Sequence, residues 1–349
     1  MIAKVSVSPS VLGPVPPDAS KAEKAFLKRN LQALAKSLVQ HGCLVAADKD
    51  DAVALLQAAK ELEQTAPGPS KAWLEALIML KDCDRWYVTS PNRPPVSGAT
   101  EVGSLRDNWK GAVRVVVVDQ DQSEAMGIFD CDTRSQPEIS PMMVARDSAT
   151  FDRLSKLAEA GVWKASQSRE DFWARVLRPL AQRSKCIEIC DRFMLRGMVE
   201  RAEGARQSED DDALSWLLKR IDEDGFDGTT VAVYTSLGEN VRIKGESIQA
   251  PGNPELVKEL IDEYFQVGGG KIKMLEAHAV FWKKMKFADR PHDRHISFSC
   301  GADIGLERGL DSFDSESVEA SSGIAWTYGH SQETKSKNAQ ERRAIESAS

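Results

Sequence analysis

The chain has 349 residues, 42% hydrophobic and 28% charged, with a net charge of −7. That is long enough for two ordinary domains with their own cores, and the acidic balance argues against indiscriminate polyanion binding over the whole surface. No apolar run approaches the roughly 18 residues needed to cross a bilayer, and the first nine residues are too polar for a secretory signal. The six cysteines (43, 83, 131, 186, 190 and 300) include no Cys-x-x-Cys pair. A soluble protein of the reduced cytoplasm is expected, without a zinc ribbon or a disulfide framework.

After a short alternating start at Val5 and Val7, Pro14, Pro16 and Pro17 forbid a helix. Asp18 or Ser20 can cap the helix that follows, which carries Phe26, Leu27, Leu31, Leu34 and Leu38 at helical spacing and ends at His41-Gly42. Residues 44–46 suit a short strand. Asp50 and Asp51 open a second helix through Leu55, Leu56, Ala59 and Leu62, Pro67-Gly68-Pro69 breaks it, and Ser70 starts a third through Trp73 and Leu77. Trp86-Tyr87-Val88 reads as a strand before a Pro-rich loop over 90–108.

Residues 113–118 form the strongest strand, β-branched and nearly continuous, hence buried on both faces. It runs into Asp119 and Asp121, with Glu124 nearby. A strand ending in carboxylates suits a divalent metal, which would make residues 1–150 a metal-dependent nuclease-like domain with these three acids as ligands. The plainer reading, and the preferred one, is that they satisfy turn backbone.

A helix over about 150–160 ends at Gly161. Phe172, Trp173, Val176, Leu177 and Leu180 mark an amphipathic helix interrupted or restarted at Pro179, and the domain junction is placed near 162–170. Ile187 and Ile189 form a strand delivering Asp191 and Arg192 to its end. The acids of 208–212 precede a helix through Leu214, Leu217, Leu218 and Ile221. Residues 229–234 form a strand, and Pro254 and Glu255 open a helix stopped by Gly268-Gly269-Gly270, which lack the Lys-Ser/Thr of a phosphate loop.

Residues 271–275 and 277–282 are strand candidates leading to a hairpin. In that hairpin Ile296 and Phe298 alternate with Ser297 and Ser299, a turn lies at 300–303, and Ile304 and Leu306 alternate again. Its mouth carries His292, Asp293, Arg294 and His295. The expected architecture is α/β throughout: a smaller α/β domain over 1–165, a second with a mixed sheet and flanking helices over 166–325, and a largely disordered polar tail over 326–349.

His292-Asp293-Arg294, a polar strand, Gly301 nine positions after the His, then Arg308-Gly309-Leu310-Asp311 and Phe313 resemble the phospholipase D-like domain at the C-terminus of MIT-domain proteins. Residues 186–195 resemble the segment that opens that domain. The resemblance covers about 170–320. Nothing before about 165 resembles the three-helix MIT module, so no membrane-trafficking role is implied.

The resemblance implies a chemistry. In phospholipase D-type enzymes two His-x-Lys-x4-Asp motifs share a pocket. One imidazole attacks phosphorus to form a phosphohistidine, so no metal or other cofactor is needed. The second imidazole protonates the leaving oxygen, and the cations hold the phosphoryl oxygens. Here Arg294 stands for the Lys and Ser299 occupies the Asp slot, leaving Asp293 or Asp311 to orient the imidazole. A single motif calls for a homodimer with motifs facing across a twofold axis. His295, an odd number of positions from His292, points to the opposite face of a regular strand.

Seven Lys or Arg fall between Lys271 and Arg294 against three acids, beside this stretch. The resulting expectation is a metal-independent phosphodiesterase acting on nucleic acid, of the kind found among bacterial phage-defence effectors. His292, Arg294 and Asp311 would be catalytic; Asp191, Arg192, Lys283, Lys284, His295 and Arg308 would bind ligand. The resemblance equally implies an alternative. MIT-associated domains are binding modules without a working catalytic pair that contact acidic phospholipid head groups. On that reading the domain binds a phosphate-bearing ligand or a protein partner, and Asp293–Arg294 and Arg308–Asp311 form an ion-paired hairpin base.

Overall fold

The computed structural model describes residues 2–159, 161–163, 167–192, 194–202, 212–237, 241–243, 246–248, 254–265, 269–281, 294–314, 324–329 and 332–347. It divides into two compact α/β units, Met1–Leu157 and Ala158–Ser349. No helix among the described residues is long and apolar enough to cross a membrane.

The first unit runs β1 (Ala3–Val7), α1 (Lys21–His41), β2 (Gly42–Ala46), α2 (Lys49–Glu61), α3 (Pro67–Asp82), β3 (Trp86–Val88), α4 (Val102–Trp109), β4 (Val115–Val118), α5 (Gln120–Ala125), β5 (Glu138–Pro141) and α6 (Ala149–Ala158). Its strands form one parallel sheet in the order β3-β2-β1-β4-β5. The valines of β4 serve two cores. Val115 and Val117 pack with α1 and α3, and Val116 and Val118 with Trp109 and Leu105. A strand covered on both faces needs no polar alternation, which is why β4 is β-branched throughout.

Ser20 is the cap of α1: its hydroxyl accepts from Glu23 N while Glu23 accepts from Ser20 N, a reciprocal capping box. Asp48, not Asp50, caps α2, and Asp51 turns back to accept from Ala47 N at 2.9 Å. Between α1 and α3, Trp73 Nε1 donates to Leu31 O at 3.0 Å in a fully buried site. The loop expected over 90–108 contains α4, which turns Leu105 and Trp109 fully inward with Val102 half-buried beside them. Three apolar positions in an eight-residue helix that follows a Pro-rich stretch are a weak period.

The second unit runs β6 (Gly161–Trp163), α7 (Arg169–Phe172), α8 (Arg178–Ala181), β7 (Cys186–Cys190), α9 (Arg196–Ala202), α10 (Ala213–Asp224), β8 (Thr229–Leu237), β9 (Val241–Ile243), β10 (Glu246–Ile248), α11 (Pro254–Tyr264), β11 (Ile272–Phe281), β12 (Arg294–Phe298), β13 (Ala302–Leu306), β14 (Ile324–Gly329) and α12 (Gln332–Glu346). A π-helical turn over Trp173–Leu177 joins α7 to α8, and Pro179 stands in the first turn of α8 where it loses least. Seven strands form a mixed sheet in the order β11-β8-β7-β12-β13-β14-β6: β11, β8 and β7 are parallel, and each later neighbour is antiparallel.

Two expectations need correction. The second unit begins before the junction placed at 162–170, because β6 pairs with β14 at the edge of the second sheet. The segment over 326–349, expected as a disordered tail, contributes most of β14 and all of α12.

Register separates the two faces of β7, β12, β13 and β14. Ile187, Ile189, Ile296, Phe298, Ile304, Leu306, Ile324 and Trp326 share the apolar face. On this side Phe172 meets Phe313 at 4.9 Å, Trp163 at 5.3 Å and Trp326 at 5.9 Å between centroids, and Trp216 stacks on Phe313 at 5.8 Å. The opposite face carries Glu188, Cys190, His295, Ser297, Asp303 and Thr327.

In the first unit, Asp132 receives a fork of bonds from Arg134 (2.9 and 2.7 Å) and an ion pair from Arg106 at 2.9 Å. These bonds hold its carboxyl well below the ordinary carboxylate range. Asp132→Asn is expected to cost about 2 kcal/mol in urea unfolding at neutral pH. A depressed native pKa means that this stabilisation is complete above the unfolded value of about 3.9 and is lost as pH falls through the lower native value. The gap between variant and parent should therefore narrow in acid.

Candidate functional site

The polar face of the second sheet is covered by α12. Along that helix Thr334, Asn338, Glu341, Arg342 and Ile345 recur at spacings of three and four, which puts them on one stripe. The stripe is mostly polar because the surface it meets is polar. Arg342 lies at its centre. Its guanidinium is 2.9 Å from Glu188 Oε2, donates to Ser297 Oγ at 2.9 Å, and stands 3.2 Å from His295 Nε2. A guanidinium only donates, so Nε2 is the accepting nitrogen and the imidazole proton resides on Nδ1, which faces Glu341 Oε2 at 3.7 Å.

Neighbouring bonds extend the layer. Ser297 Oγ donates to Asp303 Oδ1, and Asn338 Nδ2 donates to the same oxygen at 2.9 Å. Tyr234 donates its hydroxyl to Glu346 Oε1 at 2.8 Å and stacks on His278 at 4.7 Å between centroids. Ile345 packs with Cys190, Ala232 and Tyr234, the small apolar patch on which the end of α12 rests. Burial pushes the Glu188 carboxyl up against the opposing pull of Arg342, and burial followed by the bond to Glu346 raises the Tyr234 phenol.

Beside this layer, a hollow of about 590 Å³ opens between β13, β14 and α12. Arg294, His295, Asp303, Glu307, Trp326 and Thr334 are among its lining residues. Glycine holds part of this face low. A Cβ at Gly305 would come within 2.6 Å of Thr327 Oγ1, and one at Gly329 within 2.9 Å of Thr334 Cγ2.

Of the residues singled out in the sequence, His292, Asp293, Lys283 and Lys284 lie outside the described residues, as does the side chain of Asp311. Arg294 lies in the wall of the hollow and donates to Glu307 O across the hairpin. His295 is 3% exposed and engaged with Arg342. Asp191, at the end of β7, is 2% exposed and accepts from Leu310 N at 2.6 Å. The positive φ of 85° at Gly309 accompanies that turn. The Asp191 and Arg308–Asp311 motifs therefore meet through a carboxylate–amide bond. Arg308 is exposed, and Arg192 is half-buried just past β7. Ser299 Oγ accepts from Cys186 N at 3.2 Å, stapling the far end of β12.

The three acids after β4 do not gather into a metal site. Asp119 caps α5 by accepting from Gln122 N at 2.7 Å, Glu124 accepts from Gln120 at 2.9 Å on the surface, and Asp121 is exposed in the first turn of α5. Among the described residues the metal-capable group is Cys190, His295 and Glu341. The polar positions Glu188, Ser297, Asp303, Asn338, Glu341 and Arg342 carried no motif. The sign that pointed to them is a period-two alternation whose second face is charged, matched by a polar stripe at helical spacing in the final segment.

Arg342→Met should cost about 2 kcal/mol in denaturant unfolding. That is below the roughly 3–5 kcal/mol of a fully buried pair, because the Glu188 side chain is 30% exposed. The double variant Glu188→Gln, Arg342→Met should recover part of that loss, since the carboxylate left behind is then neutral. Protein-family models give no match to the chain, and neither do curated proteins.

Proposed function

We propose that the second unit is a non-catalytic, phospholipase D-like binding module for a ligand bearing a single phosphate, with Arg294 as the anion contact in the hollow between β13, β14 and α12. The observation that carries this reading is the contrast between the two basic side chains there. Arg294 is partly exposed, whereas the imidazole next to it in sequence is buried and accepts from Arg342. The chemistry that the resemblance implies needs a second imidazole beside His292, and a guanidinium bonded to Nε2 withdraws His295 from that role.

Further features agree. Ser299, in the slot where an orienting carboxylate is expected, is turned to the backbone of β7. Asp303 and Glu307 also line the hollow, and two acids beside one guanidinium disfavour a polyanion such as nucleic acid. Ala325, on the same face as Thr327, adds apolar surface to the hollow, which suits one phosphate on an aromatic or aliphatic group.

Calorimetric titration with phenyl phosphate and with a single-stranded oligonucleotide tests this. The monoester should bind, and Arg294→Glu should weaken it by at least about tenfold, or ~1.4 kcal/mol, while His292→Ala leaves it unchanged. Hydrolysis of bis(p-nitrophenyl) phosphate in the presence of EDTA, abolished in His292→Ala, would replace this reading with the metal-independent phosphodiesterase.

A further inference from the structure

We infer that Cys190, His295 and Glu341 form a site for a divalent transition-metal ion, zinc by its donor set, that fastens α12 to the sheet. The three residues come from β7, β12 and α12, and His295 stands opposite Cys190 in the antiparallel register. A thiol sulfur, an imidazole nitrogen and a carboxylate oxygen here lie within 4.8 Å of one another. His295 Nδ1 and Glu341 Oε2 are already 3.7 Å apart. Zinc holds such donors at about 2.0–2.3 Å, so tetrahedral neighbours stand roughly 3.3–3.7 Å from each other. Closing the remaining gap takes about an ångström of side-chain movement, which Glu341, the least buried of the three, can supply by a rotamer change.

Charge supports the assignment independently of geometry. Glu188, Asp303, Glu341 and Glu346 all lie on this layer around Arg342. A thiolate and a carboxylate together neutralise a dication, so the bound site is itself net neutral within a buried layer. His295 also lines the hollow, which gives the ion a route from solvent.

The proton balance is defined. Before binding, Cys190 is a thiol and the neutral imidazole carries its proton on Nδ1. On binding, the thiol proton leaves to solvent, the ion takes Nδ1, and the single imidazole proton moves to Nε2. Arg342 then releases that nitrogen while keeping Ser297 and Glu188. One proton released per ion makes the affinity rise about tenfold per pH unit below the ordinary thiol pKa of about 8.5.

The test uses the full chain, stripped with EDTA and titrated with Zn²⁺ against a chromophoric chelator, then with Co²⁺. Expected are about one equivalent bound, a higher Tm with zinc, and a thiolate-to-cobalt charge-transfer band in the near ultraviolet. Cys190→Ser should remove that band, and both Cys190→Ser and Glu341→Gln should weaken zinc by at least about tenfold. If Cys190→Ser fails to fold by circular dichroism, Glu341→Gln decides, since that residue sits at the rim of the layer. The inference is overturned if folded wild-type protein binds no stoichiometric zinc, if the cobalt form lacks the thiolate band, or if Glu341→Gln binds as the parent does. Phenyl phosphate binding through Arg294 is read separately, so either proposal can fail alone.

Discussion

The guanidinium of Arg342 is the constraint around which the second unit is arranged. It reaches Glu188 on β7 and Ser297 and His295 on β12 from a helix that contributes little apolar surface of its own. A sheet normally buries a face against apolar side chains. Here one face does so, through the isoleucines and the Phe172, Phe313 and Trp216 cluster. The other face is closed by a hydrogen-bonded polar layer. Such a layer stabilises only when its members are satisfied together, so the position of α12, the tautomer of His295 and the ionisation of Glu188 are bound to one another.

That dependence limits what the site can do. An imidazole held by Arg342 from one side and facing Glu341 from the other is an element of structure, or a metal ligand, before it is a nucleophile. Arg294, one residue earlier, lines the hollow and braces the hairpin through Glu307 O. Asp191 performs a comparable task at the neighbouring strand end, fixing the Gly309-Leu310 turn through one backbone amide. Residues that look catalytic along a chain thus also build the hairpin base.

The first unit follows a simpler logic. Its parallel sheet is covered by apolar clusters on both faces, and its strand-end acids cap helices or pair with arginines. An acid that caps a helix or is held by two guanidiniums has its lone pairs committed. Asp119 is one such acid, with an oxygen spent on the cap of α5.

Much of the architecture was legible along the chain. The α/β class, the strands at 44–46, 86–88 and 115–118, the alternation through 187–189 and 296–306, and the capped helix from Ser20 all follow from local rules of period, capping and β-branching. By itself the sequence determined the strands and helices with a clear apolar period and which strand faces are apolar, because those depend on near neighbours. The docking of α12 was not legible. Its buried stripe is Thr, Asn, Glu, Arg and Ile, which a hydropathy pattern reads as solvent-facing. Only the tertiary structure decided that this stripe is an interface and that Cys190, His295 and Glu341 converge. A polar surface is buried only where another polar surface completes its hydrogen bonds, and that partner lies up to about 150 residues away in the chain.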